Sequence, residues 1–362
     1  MAPTPLLTVN DRGLYCEVGD FYIDPWRAVP KAIITHAHGD HARRGMGSYL
    51  TANEGLHVLR TRMGEDALIE TVGYGTEFSM GPVKVSLHPA GHILGSSQVR
   101  VEHNGEVWVV SGDYKVFPDR TCTPFEPVRC HTFVTESTFG MPIYRWPDPA
   151  VVASEINTWW RENQAAGRTS VLLGYALGKA QRLISLLDPS IGPIYTHGAV
   201  EKLTADYRQS GIELSATEQV VGNPKGFDWS RGVVIAPPSV QGTVWLRKFG
   251  DVSMAFASGW MTIRGTRRRQ AMDRGFVVSD HVDWPELLWA IQETQCERVL
   301  ATHGSVAILV RWLREQGLQA DALQTQFAGE EDPVAGEEDA VVQEAAQDAE
   351  SKIDRPDEQG AD

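Results

Sequence analysis

The segment Thr35-His36-Ala37-His38-Gly39-Asp40-His41 constrains this chain more than any other. Three imidazoles and one carboxylate fall between His36 and His41, directly after the run Lys31-Ala32-Ile33-Ile34. Imidazole nitrogen and carboxylate oxygen are the donors that borderline divalent cations such as zinc prefer. The spacing predicts a strand that ends, turns and opens a helix. His36 and His38 alternate by two and so can face one side of an extended segment. Asp40 and His41 are adjacent and are expected to diverge. That spread suits two metals held side by side better than one, and paired metals a few ångströms apart are a means of cutting phosphodiester bonds. A chance cluster of surface histidines is the plain alternative. A strand upstream and polar partners downstream weigh against it.

Those partners stand at the ends of apolar runs. Asp24 ends Phe21-Tyr22-Ile23, His92 sits in the glycine-flanked turn His88-Pro89-Ala90-Gly91-His92, and Asp113 follows Trp108-Val109-Val110-Ser111-Gly112. Glu136 ends Phe133-Val134-Thr135, His281 follows Phe276-Val277-Val278-Ser279-Asp280, and His303 follows Val299-Leu300-Ala301-Thr302. Any one of them alone reads as a capped turn or a hydrogen-bonded loop residue. Together they read as one face lined by strand ends, where α/β proteins place their sites.

With 362 residues, the chain has room for two domains or for one domain carrying a large insertion. The N-terminal third reads as short strands at Leu6–Val9, Leu14–Val18, Phe21–Ile23, Val83–Leu87, Ser97–Val101 and Val107–Ser111. From about Asp148 the texture changes to alternating helix and strand, which predicts a parallel sheet in an α/β unit of its own. No stretch approaches the length of a membrane span. The N-terminus lacks the basic and apolar regions of a signal peptide. Cys16, Cys122, Cys130 and Cys296 are scattered and form no disulfide framework, so the cytoplasm is the expected location. The formal net charge of −14 looks wrong for a nucleic-acid enzyme. The stretch from Gly329 to Asp362 carries −11 of it, with 13 acidic and 2 basic residues, which leaves −3 for the rest. That stretch reads as a disordered, solubilising acidic tail, with competition for a basic surface as the alternative role.

The series resembles the metallo-β-lactamase fold, and the middle α/β unit with the late histidines resembles its β-CASP nuclease branch. Thr135-Glu136-Ser137-Thr138-Phe139-Gly140 and Ala176-Leu177-Gly178-Lys179-Ala180-Gln181 are similar to segments of RNA 3′-end-processing endonucleases of that branch. Thr35–Arg44, Ser111–Lys115, Pro124–Val128, Pro142–Trp146 and His281–Pro285 are similar to bacterial DNA ligase-associated exonucleases. The likeness runs to about Phe327. It implies an α/β architecture: an αβ/βα sandwich from residues 1–140 and 265–328, with a β-CASP α/β cap inserted at 141–264 and the tail at 329–362. It further implies two divalent metal ions, zinc before manganese. One would take His36, His38 and His92, and the other Asp40, His41 and His303, with Asp113 between them. By the same resemblance Asp24 would fix a ligand histidine, Glu136 would orient His281, and His281 would protonate the leaving oxygen. The expected partner is nucleic acid, DNA before RNA, with a DNA ligase and a helicase as further partners implied by the likeness alone.

His303 cuts across this. A histidine there resembles the RNA-cutting members of the branch, whereas the longer match is to DNA exonucleases. Arg264, Arg267, Arg268 and Arg269 form the densest basic cluster and are candidate phosphate ligands, with a solvated turn as the even alternative. Lys179 and Arg182 share a helix face after Gly178 and are candidates of the same kind. Trp146, Trp159, Trp160, Trp245, Trp260 and Trp284 are core residues by default, with one or two as base-stacking platforms. Two other readings compete with the nuclease: a small-molecule metallo-hydrolase of the same fold, and a non-catalytic nucleic-acid scaffold. The large middle unit argues against the first, and the filled ligand positions against the second.

Overall fold

The computed structural model describes residues 5–222, 226–263 and 272–327. A first sheet pairs β1 (Thr8–Val9), β2 (Leu14–Cys16), β3 (Phe21–Ile23), β4 (Lys31–Ile33), β5 (Ser48–Ala52) and β6 (Ile69–Val72) in chain order. Pairing is antiparallel up to β3 and parallel after it. Helix α1 (Leu56–Met63) joins β5 to β6. The second sheet opens with the antiparallel strands β7 (Phe78–Met80), β8 (Val83–Pro89), β9 (Ser97–His103) and β10 (Glu106–Val110), beside which β11 (Thr132–Ser137) runs parallel.

The chain then leaves this sheet. It runs through α2 (Pro149–Ala165), β12 (Thr169–Leu173), α3 (Lys179–Leu186), β13 (Ile194–Thr196), α4 (Gly198–Gln209), β14 (Glu218–Gln219), β15 (Val233–Ala236), β16 (Val252–Ala257) and β17 (Arg274–Phe276). These strands make a third, all-parallel sheet in the order β14-β13-β15-β12-β16-β17. After α5 (Trp284–Thr294), β18 (Arg298–Gly304) pairs with β11, and α6 (Val306–Glu315) leads to β19 (Gln319–Ala322) at the sheet edge.

Strand periodicity sets the layers. Phe21, Ile23 and Ile33 of the first sheet meet Val83, Val85, Leu87, Val99 and Val101 of the second. The far face of the second sheet, with Val109, Phe133 and Val299, is covered by Leu287 and Ile291 of α5 and by Leu309 and Leu313 of α6. In the third sheet Val233 and Ile235 face one core while Val234 and Ala236 face the other, the alternation a strand buried on both faces requires. The core on one of those faces is continuous with Ala32, Ile34 and Val58 of the first sheet and α1. Local chemistry fixes the helix starts. Asp148 accepts from Ala150 N ahead of α2, with Pro149 at its first position, and Asp283 accepts from Glu286 N ahead of α5. No helix among the described residues is long and apolar enough to cross a membrane.

Three expectations change. The metal motif does not open a helix: Ala42 N closes one turn onto His38 O, and the next α-helix begins only at Leu56, after a 3-10 turn at Asn53–Gly55. His281 does not end a strand, because β17 stops at Phe276 and the chain reaches it through a loop. Glu136 and His303 lie inside their strands, where the β11–β18 register shifts between Thr135 and Ser137. Such an irregularity re-aims side chains. The expected acidic tail and the Arg264–Arg269 cluster lie outside the described residues.

His197 caps α4 by accepting from Ala199 N at Nδ1. Burial first, and the nearby Lys248 charge second, depress its pKa from 6.5 to about 4. The unfolded chain therefore binds the proton more readily across that window, and this share of stability is present above pH 6.5 and lost as pH falls towards 4. Urea melts at several pH values should show a shallower acid-side loss in His197→Asn, which keeps a cap acceptor, than in the wild type. Equal slopes would remove this role.

Candidate metal centre

Loops of the first two sheets converge at one end of the sandwich. The turn after β4 carries His36, His38, Asp40 and His41, and the loops after β8 and β10 carry His92 and Asp113. The end of β18 carries His303. Gly112 makes the approach feasible. Its φ is +57°, and a Cβ there would lie 2.7 Å from Thr35 Cβ and Oγ1, so a side chain would push Asp113 away from the histidine turn.

Donor atoms of His36, His38, His92 and Asp113 lie within 4.8 Å of one another, as do those of His41, Asp113 and His303. Asp113 belongs to both groups. Its Oδ2 is 3.5 Å from His36 Nε2, 3.6 Å from His41 Nε2 and 3.9 Å from His92 Nε2, and its Oδ1 is 3.1 Å from His303 Nε2. Asp40 Oδ2 is 3.4 Å from His41 Nε2, so these adjacent residues converge rather than diverge. The edges between ligands of a tetrahedral ion with bonds near 2.1 Å are about 3.4 Å.

The outer hydrogen bonds show which nitrogen of each ring is bare. Thr35 Oγ1 gives its single proton to Asp24 Oδ2 at 2.5 Å, so it accepts from His36 Nδ1 at 3.1 Å. Thr302 Oγ1 donates to Thr135 O and accepts from His303 Nδ1 at 3.0 Å. His41 Nδ1 donates to Asp24 Oδ2 at 2.8 Å, His92 Nδ1 to Asp280 O at 2.9 Å, and His38 Nε2 to Leu177 O at 3.2 Å. Each opposite nitrogen is left as a lone pair, and His38 Nδ1 lies 3.0 Å from His92 Nε2. Among the described residues, His36 Nε2, His41 Nε2, His303 Nε2 and Asp113 Oδ1 are buried without a hydrogen-bond partner. Bare, buried lone pairs in one spot are costly unless a cation meets them. The donor set thus fits two divalent ions.

The electrostatics agree. Burial, then the neighbouring His41 charge, pushes His36 well below the usual histidine range; burial and His281 do the same to His92. Burial opposes a charge on His41, but Asp40, Asp113 and Asp24 outweigh it and raise its pKa. That corner is built for positive charge. Burial would raise Asp113, yet His41 and His303 hold it well below the carboxylate range.

Asp24 sits behind His41, in a left-handed conformation at φ +44° that Asp tolerates. Glu136 accepts from His281 Nδ1 at 2.9 Å through Oε2 and from Tyr114 N at 2.8 Å through Oε1. Burial works against a charged His281, but Glu136 overrides it and lifts the pKa to about 10. The His281 ring lies 4.7 Å from that of His92.

Lys179 and Arg182 are turned inward. Lys179 Nζ pairs with Asp280 Oδ1 at 3.0 Å with a fully buried side chain, and Arg182 donates to Ser279 O and His92 O. They do not present the open phosphate-binding surface that the sequence suggested. Trp159, Trp160 and Trp284 are buried in the core, whereas Trp146 and Trp260 are half-buried around Phe139. Sequence reading missed Thr35, Thr302 and Asp280. Their signal was simple, since each directly precedes a site histidine. It also missed Phe327, which stacks on His41 at 4.5 Å and has no local signature.

No family model matches the chain. A protein of Opitutus terrae named "Probable DNA ligase" is 32% identical over 317 residues, which is 86% of this chain and 30% of that protein. An RNase J-like protein of Methanocaldococcus jannaschii is 24% identical over 227 residues, 54% of each. An endoribonuclease YSH1 of Gibberella zeae is 26% identical over 198 residues, 51% of this chain and 21% of that protein. The chain is a homologue of β-CASP nucleases. It spans at most about half the length of these curated relatives. A crystal structure of a protein of unknown function from Enterococcus faecalis V583 superposes with a TM-score of 0.53 at 13% identity, covering 82% of this chain and 80% of that one, a likeness of fold alone.

Removal of metal should loosen this end of the sandwich. Dialysis against a chelator is expected to lower the thermal midpoint, and zinc or manganese to restore it. An ion at a hundred times its Kd adds about 2.7 kcal/mol. A midpoint indifferent to both treatments would exclude a metal centre here.

Proposed function

We propose that this chain is a two-metal nuclease, and within that class a DNA exonuclease that works with an ATP-dependent DNA ligase in repair. The observation that carries the nuclease reading is the pair of ligand groups sharing Asp113, set beside the His281–Glu136 pair. Nuclease-named relatives support nucleic-acid hydrolysis. The DNA reading is supported by the relative named for a DNA ligase, matched over most of this chain. On this reading residues 1–140 and 265–328 form a metallo-β-lactamase unit and 141–264 a β-CASP cap, with the correction that β17 (Arg274–Phe276) pairs with β16 and carries the cap's sheet past Arg264 to Phe276.

His36, His38 and His92 would hold one ion, and Asp40, His41 and His303 the other, with Asp113 between them. Zinc suits the donor set best and manganese second. Such a pair, when bound, supplies an activated water near neutral pH and a positive field over the phosphate oxygens. The chain does the rest. Asp24, Thr35 and Thr302 lock imidazole orientations so that little reorganisation accompanies the reaction. Glu136, behind Nδ1, favours the protonated form of the His281 ring, which would then give a proton to the leaving oxygen.

A ribonuclease is the second reading, favoured by His303 in the second group and by the names of two relatives. Single-stranded DNA and RNA of matched sequence, labelled at either end, separate the two. Wild-type protein with zinc or manganese is expected to degrade DNA progressively. His281→Ala should lose about 10²–10⁴ in rate with its metal content intact. Asp40→Ala should lose metal and activity together. Cutting of RNA alone would favour the second reading, and no cutting of either would overturn both.

A further inference from the structure

Two imidazoles of the first group owe their orientation to chain outside the first two sheets. His38 donates to Leu177 O, two residues before α3. His92 donates to Asp280 O, and Asp280 is tied back to α3 through Lys179, 3.0 Å from its Oδ1, with both side chains buried. Arg182, one turn along α3, donates to Ser279 O and His92 O at 3.2 Å each. Gly178 seats the start of α3 against this loop: its φ is +83°, and a Cβ there would lie 2.2 Å from Ile93 Cγ2. The second group is held otherwise. His41 leans on Asp24 and His303 on Thr302, which bonds Thr135 O, all within the first two sheets and their loops.

We infer that the buried Lys179–Asp280 pair is a positioning device for the ion held by His36, His38, His92 and Asp113, so that this ion depends on α3 and the other does not. The inference rests on the two-metal reading. Its physical reason lies in Asp280. Its carboxylate belongs to a further donor group with His92 and His281, all within 4.8 Å. A free carboxylate there would compete for the cation or draw His92 out of line. The Lys179 ammonium engages it and keeps the Asp280 carbonyl beneath His92. Removing one partner unbalances the buried charge at this point, whereas removing both does not.

The test uses the full chain stripped of metal and titrated with zinc by calorimetry and with cobalt by visible absorption. Wild type should take up two ions with distinct spectra. Lys179→Met should keep one ion at wild-type affinity and bind the other about ten- to a hundredfold more weakly, the range for outer partners of metal ligands. Asp24→Asn should weaken the opposite ion, seen as loss of the other cobalt spectrum. The Lys179→Met/Asp280→Asn double variant should recover most of the loss, which a general loosening of the fold would not do. Asp280→Asn, which removes the carboxylate that faces the ammonium beside the first group, carries the same expectation as Lys179→Met and serves if that variant fails to fold. Equal weakening of both ions, weakening of neither, or no recovery in the double variant would overturn the inference. A wild type that takes up fewer than two ions overturns the two-metal reading and this inference together, and shows before any variant is compared.

Discussion

The Asp113 carboxylate is the interaction on which the site depends. It is buried, it faces three imidazoles through Oδ2, and it faces a fourth through Oδ1. A carboxylate out of water is expensive unless positive charge meets it. The surrounding architecture serves that meeting. The packing of the first sheet on the second brings the β4 turn and the β10 loop to one end, and Gly112 lets the two backbones approach. The histidine turn and Asp113 are 72 positions apart in sequence yet act as one unit, because the apolar faces of the two sheets have a single register that buries both.

The two ligand groups differ in how they are backed. His41 has a carboxylate behind it, which raises the basicity of the ring and suits a strongly held cation. His92 and His38 have neutral carbonyls behind them, and His36 and His303 have hydroxyls. Neutral partners fix the tautomer without adding charge. The difference extends to the walls. One side of the centre is braced by the first two sheets, the other by α3 and the loop before α5, so the centre sits on the seam between the third sheet and the rest.

Much of this was legible in the sequence, and the reasons divide by range. The run of ligand residues could be read because metal chemistry restricts residue types so strongly, and β15 and β16 of the third sheet because four consecutive apolar residues leave few alternatives. What could not be read was convergence. Adjacent residues in a tight turn can meet, as Asp40 and His41 do, because a turn abolishes the alternation that a strand imposes. Lys179 and Arg182 had the spacing of an exposed basic face, yet Asp280 and the carbonyls of Ser279 and His92 turn them inward. Helix periodicity gives the face but not what packs on it. Short strands such as β6 and β19 went unseen because half of their residues are polar and their pairing is non-local.

The pairing of β11 with β18 has a consequence for how the chain is made. Ser137 Oγ bonds His303 O across 166 residues of sequence, and every residue of β11 is buried in the finished sheet. During synthesis β11 emerges with one edge satisfied by β10 and the other open. It stays open until the whole third sheet and α5 have followed. Closing a loop of that size costs only logarithmically more entropy than closing a short one. Prior folding of the third sheet would shorten it further by drawing its ends together. The vulnerable interval is therefore kinetic rather than thermodynamic: an all-buried strand with a free edge waits beside the ribosome for a partner encoded far downstream.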